Sequence, residues 1–335
     1  MFSKKTILIT GGTGSFGQAF IAFLLKNYNP KKIIIFSRDE FKQFSLSQKI
    51  NKFKTNTKIR FFIGDVRDLQ RLNLAFKGVD YVVHAAALKH IPIAEYNPQE
   101  CIKTNVVGSE NVIFAALEQK VKKVIALSTD KACSPVNLYG ATKLAADKLF
   151  TAANVFRGSS DFTKFSVVRY GNVINSRGSV FSIYDELIKK NSKTLPLTDS
   201  KMTRFFISLN DGVKFVAKSF ERMREGEIFV PKIPTIKIID LVKSFKAQPK
   251  IIGIRPGEKI HETLCIKDEA NLTIDFKDHY IVVPSTMMQN KNIYKINMKK
   301  EVGKFVKENF EYNSGNNKEV LNLSKIDKIL NNLKS

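Results

Sequence analysis

The residues of this chain best suited to chemistry are Ser128-Thr129-Asp130-Lys131-Ala132 and, a short loop later, Tyr139 and Lys143. They place hydroxyls, a carboxylic acid, a phenol and two amines close together. Tyr139 and Lys143 are four apart, so on a helix they share a face. A neighbouring ammonium favours phenolate over phenol, which lowers a tyrosine from its reference of about 10 toward neutrality. Such a tyrosine can take the proton of an alcohol while hydride leaves the same carbon. By itself a Tyr-x-x-x-Lys more often marks a core tyrosine above a solvated lysine. The acid–amine pair upstream and a nucleotide-type loop at the N-terminus shift the balance. Cys133, inside the loop, reads as packing.

Positioning these groups requires a strand before the loop and a helix after it. The apolar run Val124 to Leu127 predicts a buried strand, and Tyr139 to about Phe150 predicts a helix. The loop then hangs from a strand's carboxyl end, where open α/β sheets place their chemistry. Earlier strands are expected at Thr6–Thr10, Ile33–Phe36, Ile59–Ile63 and Asp80–His84, with a sixth at Phe165–Arg169. Alternation of strands and helices at this spacing predicts a doubly wound parallel sheet. The helix from about Pro98 carries Thr104 and Asn105; a buried Asn105 needs partners, expected from the loop around Ser128.

The first strand runs into Gly11-Gly12-Thr13-Gly14-Ser15-Phe16-Gly17 and then a helix to about Asn27. Glycines there allow a tight turn and close backbone approach, and the helix start offers N–H groups to a pyrophosphate. The second strand ends in Ser37-Arg38-Asp39, with Lys42 one turn on. Arg38 offers a planar fork for a 2′-phosphate, so NADP is favoured, while Asp39 keeps NAD open. Asp65 and Val66 lie in an acidic turn that suits adenine, with helix capping at Asp68 as the structural use. Ala85 to Ala87 let a cofactor lie against the backbone, and Lys89 can reach a phosphate.

Beyond Tyr170-Gly171-Asn172-Val173 the rhythm changes. A helix is expected after Arg177-Gly178-Ser179-Val180, extended chain at Leu195–Leu197, and a helix from Asn210 to about Arg224. Further expectations are a strand at Ile228–Val230, a helix capped by Thr235 and ending at Phe245, and a helix start at His261. Arg and Asn at strand-to-helix junctions suit a nucleotide-sugar pocket and suit caps and surface charges equally well. The expected organisation is a Rossmann domain over 1–170, to which some later segments return. A mainly substrate-binding region follows over 171–285. A polar tail over 286–335 ends in a short helix.

With 335 residues the chain can bury a substantial core. No apolar run reaches the ~20 residues that span a bilayer, and no signal peptide precedes the first strand, so a cytoplasmic protein is expected without membrane insertion. The three cysteines are scattered, which suits thiols in a reducing compartment. The four histidines lack metal-ligand spacing, so no metal is expected. The net charge of +24 is mostly lysine spread along the chain. With no nucleic-acid recognition motif, it reads as a surface bias that draws in an anionic substrate. The alternatives are a UDP-sugar 4-epimerase or reductase, which needs Tyr139 and Lys143 but no acid–amine pair, and a non-catalytic NADP- or nucleic-acid-binding protein.

The Gly11–Gly17 loop with Tyr139 and Lys143 resembles the extended short-chain dehydrogenase/reductases. Within them Ser128 to Ala132, Ser37-Arg38-Asp39-Glu40 and Met202-Thr203-Arg204-Phe205 are similar to the inverting UDP-N-acetylglucosamine 4,6-dehydratases. The resemblance runs from about Lys4 to Pro284. It implies a hydro-lyase with tightly held NADP, a UDP-N-acetylglucosamine substrate and a homo-oligomer, dimer or hexamer. It also implies the first step of pseudaminic acid biosynthesis, as in flagellin glycosylation. Catalytic roles fall to Thr129, Asp130, Lys131, Tyr139 and Lys143, with a neutral Lys131 as base and a protonated Asp130 as acid. Implied cofactor contacts are Thr13, Gly14, Ser15, Phe16, Ser37 to Lys42, Asp65, Val66, Ala85, Thr104, Tyr139, Lys143 and Val173. Implied substrate contacts are Lys89, Asn172, Arg177, Gly178, Ser179, Val180, Met202, Arg204, Arg255 and Glu258. Asn175 stands where these enzymes usually have Gly, and Phe206 where they often have Trp.

Overall fold

A ten-stranded sheet forms the centre of this computed structural model, which describes residues 1–156, 162–174 and 178–334. Its first six strands are parallel: β1 (Thr6–Thr10), β2 (Lys32–Ser37), β3 (Lys58–Ile63), β4 (Tyr81–His84), β5 (Lys123–Thr129) and β6 (Lys164–Tyr170). β1, β4 and nearly all of β2 and β6 are buried, as parallel strands covered by helices on both faces require. Their spatial order is β3-β2-β1-β4-β5-β6. Order reverses at β1, which pairs with both β2 and β4. Doubly wound sheets bind ligands at such a switch point. Ile228–Pro231 continues the sheet parallel to β6, and His279–Val282 then joins antiparallel.

Helices follow where the sequence caps them. Asp68 accepts from the Arg71 N–H at the start of Leu69–Phe76, and Asn137 accepts from the Gly140 N–H at the start of Leu138–Ala152. The helix expected from Pro98 is interrupted: Pro98–Ile102 passes through a π-turn at Lys103–Val107 into Gly108–Glu118. Buried Asn105 sits in that turn. Its partners are not the loop around Ser128; its side chain bonds the N–H and carbonyl of Leu88 and donates to Thr142 Oγ1 at 3.0 Å.

A second apolar core includes Phe181, Leu195, Met202, Phe206, Ile236 and Leu241. It lies among a three-stranded sheet (Asn172–Val173, Thr203–Ile207, Thr235–Lys237), a two-stranded sheet (Thr194–Leu197, Gln248–Ile251) and the helix Val180–Lys189. The terminal helix, Leu323–Lys334, adds Ile326 and Leu330 to this core. Lys304–Phe305 joins the main sheet, and Tyr312–Asn313 pairs with Thr263–Cys265. Two expected helix starts are strands instead. Thr235 pairs with Phe205 and its N–H donates to Glu319 O, while the chain past His261 is drawn into pairing with the later segment. Tertiary pairing overrides the local capping signal at both places.

Candidate active site

β5 ends at Thr129, and the next three residues, Asp130–Ala132, make a single 3₁₀ turn. The helix Leu138–Ala152 then returns against that turn, so Tyr139 and Lys143 come back over the strand end. Thr129 Oγ1 donates to Asp130 Oδ1 at 2.9 Å. Lys131 Nζ donates to the same oxygen at 3.0 Å and lies 3.2 Å from Oε1 of Glu262. Asp130 is fully buried, and its Oδ2 has no hydrogen-bond partner among the described residues.

The electrostatics differ from two expectations. Burial pushes the Tyr139 phenol up to about 12, against lowering by Lys131 and by a hydrogen bond with Thr129. The phenol is therefore raised rather than lowered, because burial outweighs the neighbouring charges; Lys143 donates its amine to Leu127 O at 2.7 Å. Burial in turn lowers Lys143. Burial also works against the Lys131 ammonium, but the carboxylates of Asp130 and Glu262 outweigh it and hold this amine well above its ordinary value. A neutral Lys131 is thus not the resting form.

A cavity of about 750 Å³ opens at this strand end, with Thr129, Lys131, Tyr139 and Lys143 in its wall. Gly11, Gly14, Ser15, Phe16, Gly17, Ala85, Lys89 and Val173 line the same space. A second cavity of about 240 Å³ shares Gly11, Gly14, Lys42 and Ala85 and extends past Thr13, Ser37, Arg38, Asp39, Asp65, Val66 and Thr104.

The residues present fit a dinucleotide. Gly11 has φ +63°, and a Cβ there would lie 2.9 Å from the carbonyl of Ala85, so only glycine gives this cradle. Gly14 at the N-cap of Ser15–Asn27 brings no capping side chain to compete with an anion at the helix start. Thr104 Oγ1 is buried in the second cavity with no hydrogen-bond partner among the described residues. Half-exposed Arg38 pairs with Asp65 at 3.4 Å. The Asp39 carboxylate is engaged in the fold: it caps Glu40–Ile50 through the Lys42 N–H at 2.8 Å and pairs with the Lys42 amine. The Ser37 hydroxyl accepts from Gln43 at 3.1 Å.

The larger cavity is also lined by Asn172, Gly178, Ser179, Val180, Met202, Arg204, Arg255 and Glu258, together with Phe206. Ser179 doubles as N-cap of Val180–Lys189. Arg204 is largely spent on the backbone: it donates to the carbonyls of Thr203, Lys259 and Ile260 at 2.7–3.0 Å. Arg177 and Asn175 lie outside the described residues. Of the expected catalytic groups, Asp130 alone is absent from the cavity wall, seated beneath Thr129 and Lys131. Glu262, which the sequence reading passed over, is in the wall. Its only sequence signal is an acid shortly after Arg255-Pro256-Gly257-Glu258, indistinguishable from a surface carboxylate until its strand is paired.

Residues 7–284 match the family model described as polysaccharide biosynthesis protein. The chain is 57% identical to the inverting UDP-N-acetylglucosamine 4,6-dehydratase of Campylobacter jejuni subsp. jejuni, over 95% of this chain and 94% of that one. It is 44% identical to the UDP-glucose 4-epimerase of Rickettsia bellii, over 99% of this chain and 97% of that protein. The X-ray structure of Pen from Bacillus thuringiensis superposes with a TM-score of 0.88 at 36% identity, covering 100% of this chain and 99% of its own. On these matches and the sheet order, the chain belongs to the polysaccharide biosynthesis protein family, has the extended short-chain dehydrogenase/reductase fold, and counts the inverting UDP-N-acetylglucosamine 4,6-dehydratases among its close relatives.

Proposed function

We propose that this protein is an inverting UDP-N-acetylglucosamine 4,6-dehydratase, a hydro-lyase that makes UDP-2-acetamido-2,6-dideoxy-β-L-arabino-hexos-4-ulose. One observation carries the reading: an acid–amine pair, Asp130 and Lys131, stands beside Tyr139 where the dinucleotide cradle meets the sugar-side wall. An epimerase or reductase needs a tyrosine and a lysine there, but nothing to expel a hydroxyl. The Rickettsia relative makes the 4-epimerase the second reading.

NADP is the proposed cofactor. Gly11 to Gly17 hold its pyrophosphate, Ser37, Arg38 and Lys42 its 2′-phosphate, and Asp65, Val66 and Thr104 its adenine. When bound, its nicotinamide supplies a hydride acceptor at C4 and a hydride donor at C6. Tyr139, steadied by Thr129, takes the proton of the C4 hydroxyl, and Lys143 orients the ribose. The ketone at C4 acidifies C5–H. Lys131, once it has shed its resting proton, takes the C5 proton, and Asp130, in its protonated form, gives a proton to the departing C6 hydroxyl, which leaves as water. Lys89, Asn172, Gly178 to Val180, Met202, Arg204, Arg255 and Glu258 hold the UDP-sugar, with Arg177. The chain acts as a cytoplasmic homo-oligomer, dimer or hexamer, at the first step of pseudaminic acid biosynthesis.

Incubation with UDP-N-acetylglucosamine and NADP tests this reading through the product mass. Loss of one water is expected. An isomeric product of unchanged mass would replace dehydration with epimerisation.

A further inference from the structure

Ile296 and Val302 face each other across an antiparallel bridge, so the chain between them is the tip of a hairpin. The Gly303 N–H donates to Lys295 O at 2.8 Å and the Asn297 N–H to Glu301 O at 3.1 Å, which closes the two arms. Turns ordinarily carry Gly, Asn and Asp, residues that reverse a chain at little cost. This one carries Ile296, Met298 and Val302, exposed by 47%, 53% and 70%. Single exposed apolar residues need no explanation. Three on one tip form a patch, and such patches mark surfaces that meet an apolar partner.

The tip is fixed from within. Asn297 is buried, and its Oδ1 accepts from the N–H groups of Lys299 and Glu301 at 2.9 and 3.1 Å. Glu301 turns back onto the fold, where Arg222, at the end of the helix Leu209–Arg222, donates to both its oxygens at 2.8 and 3.0 Å. The Met298 N–H donates to Arg222 O at 3.1 Å. The polar groups of the hairpin are thus spent inward, and its apolar side chains are presented by an ordered backbone that needs no further ordering to bind.

Charge selects the occupant. Lys295, Lys299, Lys300, Lys304 and Lys307 are all exposed, and the one acid between 295 and 307 is Glu301, already held by Arg222. Lys299 reaches Glu221 at 3.4 Å and Lys295 lies over the Phe305 ring, yet both stay exposed. A second copy docked about a two-fold axis on this face would set these lysines against themselves, which is repulsive. Apolar side chains flanked by lysines are complementary to a bilayer with anionic headgroups, where the former reach the acyl boundary and the latter meet phosphates.

We propose that the hairpin around Met298 is a peripheral docking site that seats this protein on an anionic lipid surface without spanning it. The net charge of +24 draws the protein toward such a surface, and the hairpin decides which face lands. None of the hairpin residues lines either cavity, so docking is independent of the reaction performed there.

Flotation with vesicles of phosphatidylcholine, alone or mixed with phosphatidylglycerol, tests this at about 0.15 M salt. The wild type is expected to float with the mixed vesicles and to stay behind with phosphatidylcholine alone. A strongly basic protein approaches any anionic vesicle, so the deciding variant conserves charge. Ile296→Ser, Met298→Ser and Val302→Ser combined should lower the bound-to-free ratio roughly tenfold. Lys299→Gln with Lys300→Gln should lower it by about as much. The chain has no tryptophan, so Met298→Trp supplies a single reporter, whose emission should shift to the blue on mixed vesicles. A wild type that ignores the mixed vesicles, a triple Ser variant that floats as well as the wild type, or a bound Met298→Trp protein with unshifted emission overturns the proposal. So does self-association that the triple variant loses in the absence of vesicle binding, which assigns the face to a second copy.

Discussion

A methyl group on Gly140 would sit 2.3 Å from the carbonyl oxygen of Lys131. That contact sets how closely the helix bearing Tyr139 and Lys143 lies against the turn bearing Asp130 and Lys131. It also explains a glycine in the first turn of a helix, where every residue but proline has the better propensity.

Gly140→Ala should therefore push the helix off the turn and separate Tyr139 from Thr129. A displacement of about 1 Å can cost 10²-fold in rate. Turnover is expected to fall at least tenfold while NADP affinity, set mainly at the other end of the cleft, changes little. Kinetics beside a cofactor titration check this, and full activity in the variant would show that the approach is not critical.

Arg38 offers the second test. Its guanidinium is half exposed at the end of the smaller cavity, tied to Asp65 at 3.4 Å. Arg38→Ala should weaken NADP by roughly ten- to a hundredfold, the value of a charge-assisted contact of about 1.5–3 kcal/mol, and leave NAD nearly unchanged. Calorimetric titration with both dinucleotides separates the two. Equal weakening would remove the 2′-phosphate assignment.

The parallel sheet was legible because its strands are short apolar runs bounded by turn residues, and the residues proposed for the cofactor could be named because their loops are local motifs. Ser37, Arg38, Asp39, Lys42, Asp65 and Thr104 meet in one cavity, brought there by two strand ends and the π-turn at Lys103–Val107. Where the reading missed, the cause was non-local. Asn105 found Leu88 and Thr142, residues whose proximity depends on packing between helices. Glu262 became visible only once Thr263–Cys265 paired with Tyr312–Asn313. The direction at Tyr139 was missed because spacing shows which charges are near but not how far burial outweighs them.

His84 gives a prediction on stability. Its ring is buried between Thr10 Oγ1 at 2.8 Å and Ser109 Oγ at 3.3 Å. Burial, with Lys143 nearby, lowers it from 6.5 to about 3. The unfolded chain therefore binds this proton first. The stability from a neutral His84 is complete above about pH 6.5 and is lost as the pH falls toward 3, at up to about 1.4 kcal/mol per pH unit. His84→Gln, uncharged throughout, should be less stable at pH 7 yet lose less stability between pH 6 and 4. Denaturant melts at several pH values check this, and parallel curves for the two proteins would refute it.

Lys131→Ala separates the two halves of the proposed reaction. Its amine meets Asp130 and Glu262 rather than the dinucleotide cradle, so cofactor binding should survive. Elimination should stop after C4 oxidation. Rapid mixing with substrate is expected to show reduced nicotinamide building up in the variant and only transiently in the wild type. Wild-type turnover in the variant would exclude Lys131 as the base.

Stereochemistry is the most demanding test, because it depends on two residues at once. Lys131 and Tyr139 both stand in the cavity wall, and the proposed reaction gives each a different proton. If Lys131 takes the C5 proton from one face, inversion requires the new proton to arrive from the other. Tyr139 carries the proton taken from the C4 hydroxyl, and its buried phenol, pushed up to about 12, holds that proton until the enolate demands it. In heavy water the exchangeable C4 hydroxyl is deuterated before reaction, so the deuteron passed through Tyr139 should end on C5. The expected first product is therefore the L-arabino 4-keto sugar with deuterium at C5. Proton NMR coupling constants of fresh product decide this, before slow epimerisation at C5 mixes the isomers. A D-xylo product at the earliest times would refute delivery from the opposite face while leaving the loss of water in place.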